Sequence, residues 1–432
     1  MSELEVGSPI GTIAEARSFE ATVPIAVLWR QHRGLIESIA AVGLTAGCGL
    51  IGGVVLARAL GPVARGQLAA VVLWATTGIA LGDLGVGFAG SYFAAKRPER
   101  IGALWSFALS TGYGWGSALA LIGAVLLARV PTAPHWFIVA GSMTAIPFGL
   151  AAGYQSYLLV GLGKLAWHNI VKFVAAAIYM VAVVAIALTS RHSILQYVIA
   201  FASSQVAAAV LSTALLRRLA RPTHIDTATA VDVIKFGAKT EVSTLAAQTT
   251  LRLDQLLLSL LLPPGALGLY VVAAALASVP GPVFSGSALY TMSRVAELND
   301  RRSAALRAAR YSAAAVMAVA VPVGVMVVTA PWLISHLFGA RFAEAVWPAR
   351  ILLIASLFQG VNAVLGNSLR SVGRPGAPAV AEISGAIVTV FLLIAFLTKY
   401  GIMAAAVTSL VAYCVVAGIQ AAALTIVIRG KR

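Results

Sequence analysis

Apolar runs, each about long enough to cross a bilayer, follow one another almost without pause from Leu35 to Ile428. A hydrocarbon core of about 30 Å needs roughly 20 apolar residues per spanning helix, because backbone groups must pair inside the segment where no water is available. The runs cover 35–60, 67–94, 101–129, 135–160, 168–189 and 193–216, then 236–262, 266–292, 308–334, 346–369, 377–398 and 401–428. This pattern predicts an all-α polytopic membrane protein with twelve transmembrane helices. The longest stretch between runs, 217–235, is too short for a soluble catalytic domain.

Residues 1–34 form the one sizeable tail, and they lack the basic start, apolar core and cleavage site of a signal peptide. Ile25, Val27, Leu28 and Trp29 mixed with Arg30 and Arg33 suit an interfacial approach to the first span. With this tail inside, the inner side collects 23 of the 31 lysines and arginines. They cluster at Arg217, Arg218, Arg221, Lys235 and Lys239, and again at Arg294, Arg301, Arg302, Arg307 and Arg310. The outer side receives Arg58, Arg65, Arg129, Arg191, Arg341, Arg350 and Lys399, and Arg252 falls within a span. Such asymmetry predicts a multi-pass protein of the cytoplasmic membrane with both termini cytoplasmic. The net charge of +16 is thereby explained by loops beside anionic membrane lipids, with no nucleic-acid partner.

Six spans return the chain to its starting side, so a duplicated six-helix unit would give two lobes related by a parallel pseudo-twofold along the membrane normal. YLLVGLGK at 157–164 and SLRSVGRP at 368–375 occupy matching places. So do RGQLAAVVLWAT at 65–76 and LGLYVVAAALAS at 267–278. The expected organisation is an interfacial segment 1–34, a first lobe 35–220, a linker 221–235, a second lobe 236–428 and a tail 429–432. Transporters of this design bind cargo between their halves. Pro147, Pro280, Pro282 and Pro322 are candidate kinks within spans, either for packing or, at Pro280–Pro282, for movement.

Charged residues in mid-membrane cost about 2.5–3.5 kcal/mol on insertion scales and so face a protein interior or a wet cavity. The seventh span carries Glu241, Thr244, Gln248, Arg252, Gln255 and Ser259 within roughly 80° around a helix. That polar stripe predicts one side turned to a cavity. The guanidinium of Arg252 is a permanent cation with a planar fork that matches phosphate oxygens, so it serves either an anionic cargo or a buried ion pair. Asp254 lies about 200° round the helix from Arg252 and needs another neighbour. Asp83, in GDLGVG, either binds a cation or satisfies loosened backbone. Lys172 and Glu382 hold equivalent places in the two halves, and either face each other or snorkel to the interface.

No catalytic grouping is present: there is no nucleotide loop, no metal motif among the six histidines and no combinable Ser, His and Asp set. Cys48 and Cys414 lie within spans and suggest apolar packing, with no disulfide or metal site. The expectation is a protein that is not an enzyme and needs no cofactor.

The chain resembles the polysaccharide transporter branch of the multidrug, oligosaccharidyl-lipid and polysaccharide exporter superfamily, the Wzx-like flippases of lipid-linked oligosaccharides. The resemblance rests on ARALGPVARGQLA at 57–69, LRLDQLLLSLLL at 251–262, GLYVVAAALAS at 268–278, LFGARFAEAVWPARILLIAS at 337–356, SVGRPG at 371–376 and YGIMAAAVTSLVAY at 400–413, in that order. It departs at 285–298, which lacks a proline common in the family, and it has no extra pair of spans like that of peptidoglycan-precursor flippases. The resemblance implies a MATE-like V of two lobes around a central cavity. It also implies a polyprenyl-pyrophosphate-linked oligosaccharide as cargo, moved to the outer leaflet by alternating access. Arg252, Gln248, Gln255, Glu241 and Ser259 are then the expected cavity residues. Asp83, Asp254, Lys172 and Glu382 are the candidates for ion or structural pairing, and coupling to Na+, H+ or membrane potential alone stays open. Polymerase and glycosyltransferases are expected partners. The rival is a cation-coupled multidrug exporter on the same architecture.

Overall fold

The computed structural model describes residues 25–129, 134–189, 193–225, 227–296, 301–374 and 376–429, with side chains left out at 25–39, 227–229, 239–251, 289, 290, 292–296 and 301. No strand occurs among the described residues. The helices are α1 (Ile25–Gly82), α2 (Val86–Lys96), α3 (Ile101–Ala128), α4 (Trp136–Met143), α5 (Ala145–Gly161), α6 (Leu165–Ala187) and α7 (Ile194–Arg217). After the basic linker come α8 (Thr227–Leu261), α9 (Pro264–Ala277), α10 (Gly281–Ala296), α11 (Arg301–Leu333), α12 (Val346–Ser371) and α13 (Gly376–Ile428). Among the described residues eight helices are long and apolar enough to cross a membrane, or nine if the bent pair α9 and α10 is one span.

The two longest helices are not straight rods. With 58 residues, α1 would reach about 87 Å if unbroken, far beyond the hydrocarbon core. It breaks at Gly61, whose φ of 69° and ψ of 178° suit glycine and strain other residues. Pro62 opens the second leg, where a helix start leaves its missing N–H without consequence. In the same way α13 breaks at Gly401.

Three apolar runs are divided more finely than hydropathy indicates. The run 67–94 turns at Asp83–Gly85, where Leu84 and Gly85 take φ of 48° and 73°. There the Asp83 carboxylate accepts the Gly87 amide at 3.3 Å, and the Tyr154 hydroxyl donates to the freed Gly82 carbonyl at 2.9 Å. The run 135–160 is the pair α4 and α5 meeting at Thr144. The run 266–292 bends by 49° between α9 and α10, beside Pro280 and Pro282.

Lipid tails are as apolar as leucine, so close fit and internal hydrogen bonds hold such helices together. One buried cluster joins Leu68, Trp105, Ile146, Tyr154, Tyr197 and Leu216; another joins Leu258, Tyr270, Phe338, Leu353, Leu393 and Ala405, together with Ala57 and Ala69 of α1. In the first, Gln155 of α5 accepts from Trp105 Nε1 of α3 at 3.0 Å and from Thr213 Oγ1 of α7 at 2.9 Å, tying three helices. In the second, Pro331 cannot donate to the Val327 carbonyl one turn earlier, and Arg350 Nε supplies that bond at 3.0 Å.

Candidate central cavity

A cavity of about 540 Å³ opens between helices drawn from both ends of the chain. One wall is α1 and α6: Cys48, Gly49, Gly52, Gly53 and Leu56 on the first leg of α1, Arg65, Ala69, Val72, Leu73 and Thr76 on the second, and Ala176 and Tyr179 of α6. The opposite wall takes Arg252, Asp254 and Gln255 from α8, and Tyr270, Val271 and Ala274 from α9. Ser356 and Gln359 of α12 and Ser409 and Tyr413 of α13 complete it. The spacing 65, 69, 72, 73 and 76 is one face of a helix, which explains why a single leg contributes five lining residues.

Arg252 is half-buried, and its Nη1 donates to Thr76 Oγ1 across the cavity wall at 2.7 Å. Thr76 is neutral, so this bond brings the guanidinium no counter-charge. Among the described residues the ion pair is Arg97 with Asp232 at 3.5 Å, on another part of the molecule. Asp254, two residues on, is only 5% exposed and turns to different helices. It accepts hydrogen bonds from the Tyr270 hydroxyl, from Ser409 Oγ at 3.1 Å and from the Gln255 amide at 2.7 Å. Three donors from α8, α9 and α13 thus stabilise a buried carboxylate.

The remaining sequence candidates separate clearly. Gln255 lines the cavity, whereas Ser259 does not: its hydroxyl is buried, accepting from Trp74 Nε1 at 3.1 Å and donating to the Leu256 carbonyl at 2.6 Å. The side chains of Glu241, Thr244 and Gln248 lie outside the described residues. Asp83 caps the turn into α2, away from the cavity. Lys172 is exposed and Glu382 half-buried, and no ion pair joins them.

Arg65 is the residue that hydropathy misassigned. The apolar runs set it among the outer loop charges, because the second run starts at residue 67. The Gly61–Pro62 break places it in the first turns of the second leg, on the cavity wall, with its Nε buried and without a hydrogen-bond partner among the described residues. The Gly-Pro pair, a helix restart signal, was the clue. The described lining therefore carries two guanidinium groups and one carboxylate. Hydroxyl and amide groups around them make the cavity suited to a polar anion.

Near Gly61 the two sides of the cavity meet backbone to backbone. A Cβ on Gly66 would run into the Pro264 carbonyl, and one on Gly268 into the Pro62 carbonyl. Arg58 adds a clamp, donating from Nε to the Leu337 carbonyl at 2.8 Å and from Nη2 to that of His336.

Solved structures share this fold. The lipid II flippase MurJ in an inward closed conformation matches with a TM-score of 0.75 at 14% identity, over 90% of this chain and 87% of that one. A multidrug resistance MATE family transporter of the MOP superfamily, inward-facing, matches at 0.67 and 14% identity, over 90% and 96% of the two chains. A eukaryotic MATE transporter matches at 0.61 and 14% identity, over 92% and 96%. These likenesses establish the fold, that of MurJ and the MATE transporters, and no curated protein sequence matches the chain. The model of the family described as polysaccharide biosynthesis protein matches residues 32–295, well over half of the chain. The protein is thus a multi-pass, all-helical membrane protein that belongs to the polysaccharide biosynthesis protein family.

Proposed function

We propose that this protein is a flippase that carries a polyprenyl-pyrophosphate-linked oligosaccharide from the inner to the outer leaflet of the cytoplasmic membrane, for cell-surface polysaccharide assembly. The observation that carries this reading is Arg252, held by a neutral hydroxyl on a cavity wall that also bears Arg65. A pyrophosphate with a sugar chain is too polar to cross lipid alone. A cavity with two guanidinium groups offers forked donors to its oxygens, while the prenyl chain stays in the bilayer. Gln255, Gln359 and Ser356 line the same space and suit sugar hydroxyls.

In this reading twelve spans form two lobes, 35–220 and 236–428, with the linker 221–235 between them and both termini cytoplasmic. Support comes from the Gly61 and Gly401 breaks, which divide α1 and α13 into legs each long enough to cross a bilayer, and from the two large buried clusters, the second of which draws mostly on residues after 257 and meets α1 at Ala57 and Ala69. The cycle is alternating access and involves no covalent step. Polymerase and glycosyltransferases would act on either side of it.

The test is Arg252→Ala, followed by the leaflet distribution of the lipid-linked oligosaccharide in membrane vesicles. Flipping should fall at least about tenfold, the scale of one lost charge-assisted hydrogen-bonded contact, while the protein still inserts. Wild-type flipping by this variant would overturn the proposal. A second reading, a cation-coupled exporter of small drugs, draws support from the MATE fold and from the buried Asp254 on the same wall. That reading expects Arg252→Ala to be tolerated and Asp254→Asn to stop export.

A further inference from the structure

The cavity must communicate with one side at a time if the transport reading holds, and the inference here rests on that reading. We propose that α2 and the start of α8 form a latch that closes the cavity toward the cytoplasm, built from an aromatic cluster on Phe236 and the Arg97–Asp232 ion pair. The latch lies at the opposite end of the second leg from Gly61, the end that the charge distribution assigns to the cytoplasm.

Four contacts make it. The Phe236 ring stacks on Tyr92 at 4.5 Å between centroids, and meets Phe93 edge-on at 5.7 Å. Phe88 lies parallel to it at 6.3 Å. One helical turn before Phe236, Asp232 pairs with Arg97 at 3.5 Å. Between these contacts and the cavity the backbones cross at Gly85 and Gly237, where a Cβ on Gly237 would stand 2.9 Å from the Gly85 carbonyl. All four contacts join the first part of the chain to α8, the helix that carries Arg252.

The character of these contacts is that of a releasable closure. Arg97 and Asp232 are 46% and 47% exposed, so their pairing is screened and weak, and Phe88 is itself 55% exposed. The glycine crossing has no side chains to interlock, and Val233, beside Asp232, is the side chain of this α8 segment that is buried in the cluster with Val86 and Ala89 of α2, so opening has to withdraw that one valine from the packed core. A hinge stands beside it: Leu84 and Gly85, both at positive φ, separate α2 from α1. A patch of stacked rings, one exposed ion pair and a single buried valine make a smaller closure to open and reclose within a transport cycle than the buried Gln155 triad, which ties three helices.

Cys48 provides a reporter, because it lines the cavity and Cys414 can be replaced by serine to leave one thiol. In inside-out vesicles carrying Cys414→Ser, a membrane-impermeant thiol reagent measures access to Cys48 from the cytoplasmic face. Asp232→Arg, which sets two cations against each other, should raise the labelling rate about three- to tenfold, the scale of losing and reversing one exposed pair. Phe236→Ala should move it the same way. The exchange Arg97→Asp with Asp232→Arg should return labelling to within about twofold of the parent, which also shows that the variants fold. Unchanged labelling in Asp232→Arg, or labelling as fast in the exchanged pair, would overturn the latch. No cargo enters this measurement, so its outcome is independent of the Arg252→Ala result on flipping.

Discussion

Arg252 and Asp254 stand two residues apart on one helix and line one cavity, yet their surroundings are opposite. Arg252 is half-buried and, among the described residues, its guanidinium donates to one neutral hydroxyl, that of Thr76. Asp254 is buried and receives three donors from three helices. A charge with unused hydrogen-bonding capacity beside a cavity is available to a ligand, whereas a charge whose oxygens are already taken serves the packing around it. The step of about 200° between positions i and i+2 on a helix produces this division, sending the two side chains to different neighbours.

The largest effect that separates them is functional. Arg252→Ala should cost at least about tenfold in flipping with little change in thermal unfolding, since the bond lost among the described residues is the one to the Thr76 hydroxyl. Asp254→Leu should do the reverse in kind, lowering the stability of the detergent-solubilised protein by about 1–3 kcal/mol because the Tyr270 hydroxyl is left buried without its acceptor. If Asp254→Leu melts like the parent while Arg252→Ala unfolds early, the division of labour drawn here is inverted.

A smaller effect sharpens the Asp254 side. Tyr270→Phe alone removes a donor from a buried carboxylate and should destabilise. Combined with Asp254→Leu it removes both partners together, and apolar replacement of a whole pair costs far less than half of one. The double variant should therefore recover about 1 kcal/mol relative to Asp254→Leu, measured as a coupling energy from four melting curves. Additive losses would mean that the two side chains act separately.

Much of this was legible in the sequence, and the misses have local causes. Apolar runs found the helix ends closely where a basic or glycine-rich turn marks them, as for 101–129 against Ile101–Ala128. They missed the Leu84–Gly85 turn, because a break by backbone dihedral leaves hydropathy unchanged. Arg252 was legible because the helical period gathers polar residues on one face. Its neighbour Thr76 was not, being 176 residues away, nor was the Ser409 that holds Asp254 across 155. Arg65 was present in the chain as a plain loop cation until the Gly61 break placed it on the wall. Periodicity specifies which face a residue takes; only the folded packing specifies what that face meets.

The smallest expected effect concerns the partner of Arg252. Thr76→Val keeps the volume and removes the hydroxyl that accepts from Nη1 at 2.7 Å. If that hydroxyl only steadies the guanidinium until an anion arrives, its loss frees one donor and removes no cargo contact. A neutral hydrogen bond of this kind contributes about 0.5–1.5 kcal/mol, and part of that is regained by donors turning into a hydrated cavity. Flipping by Thr76→Val should thus stay within about threefold of the parent, against the much larger loss in Arg252→Ala. A loss as large as that of Arg252→Ala would make the Thr76–Arg252 bond part of the working site, and the contrast with the fully engaged Asp254 would narrow to one of degree.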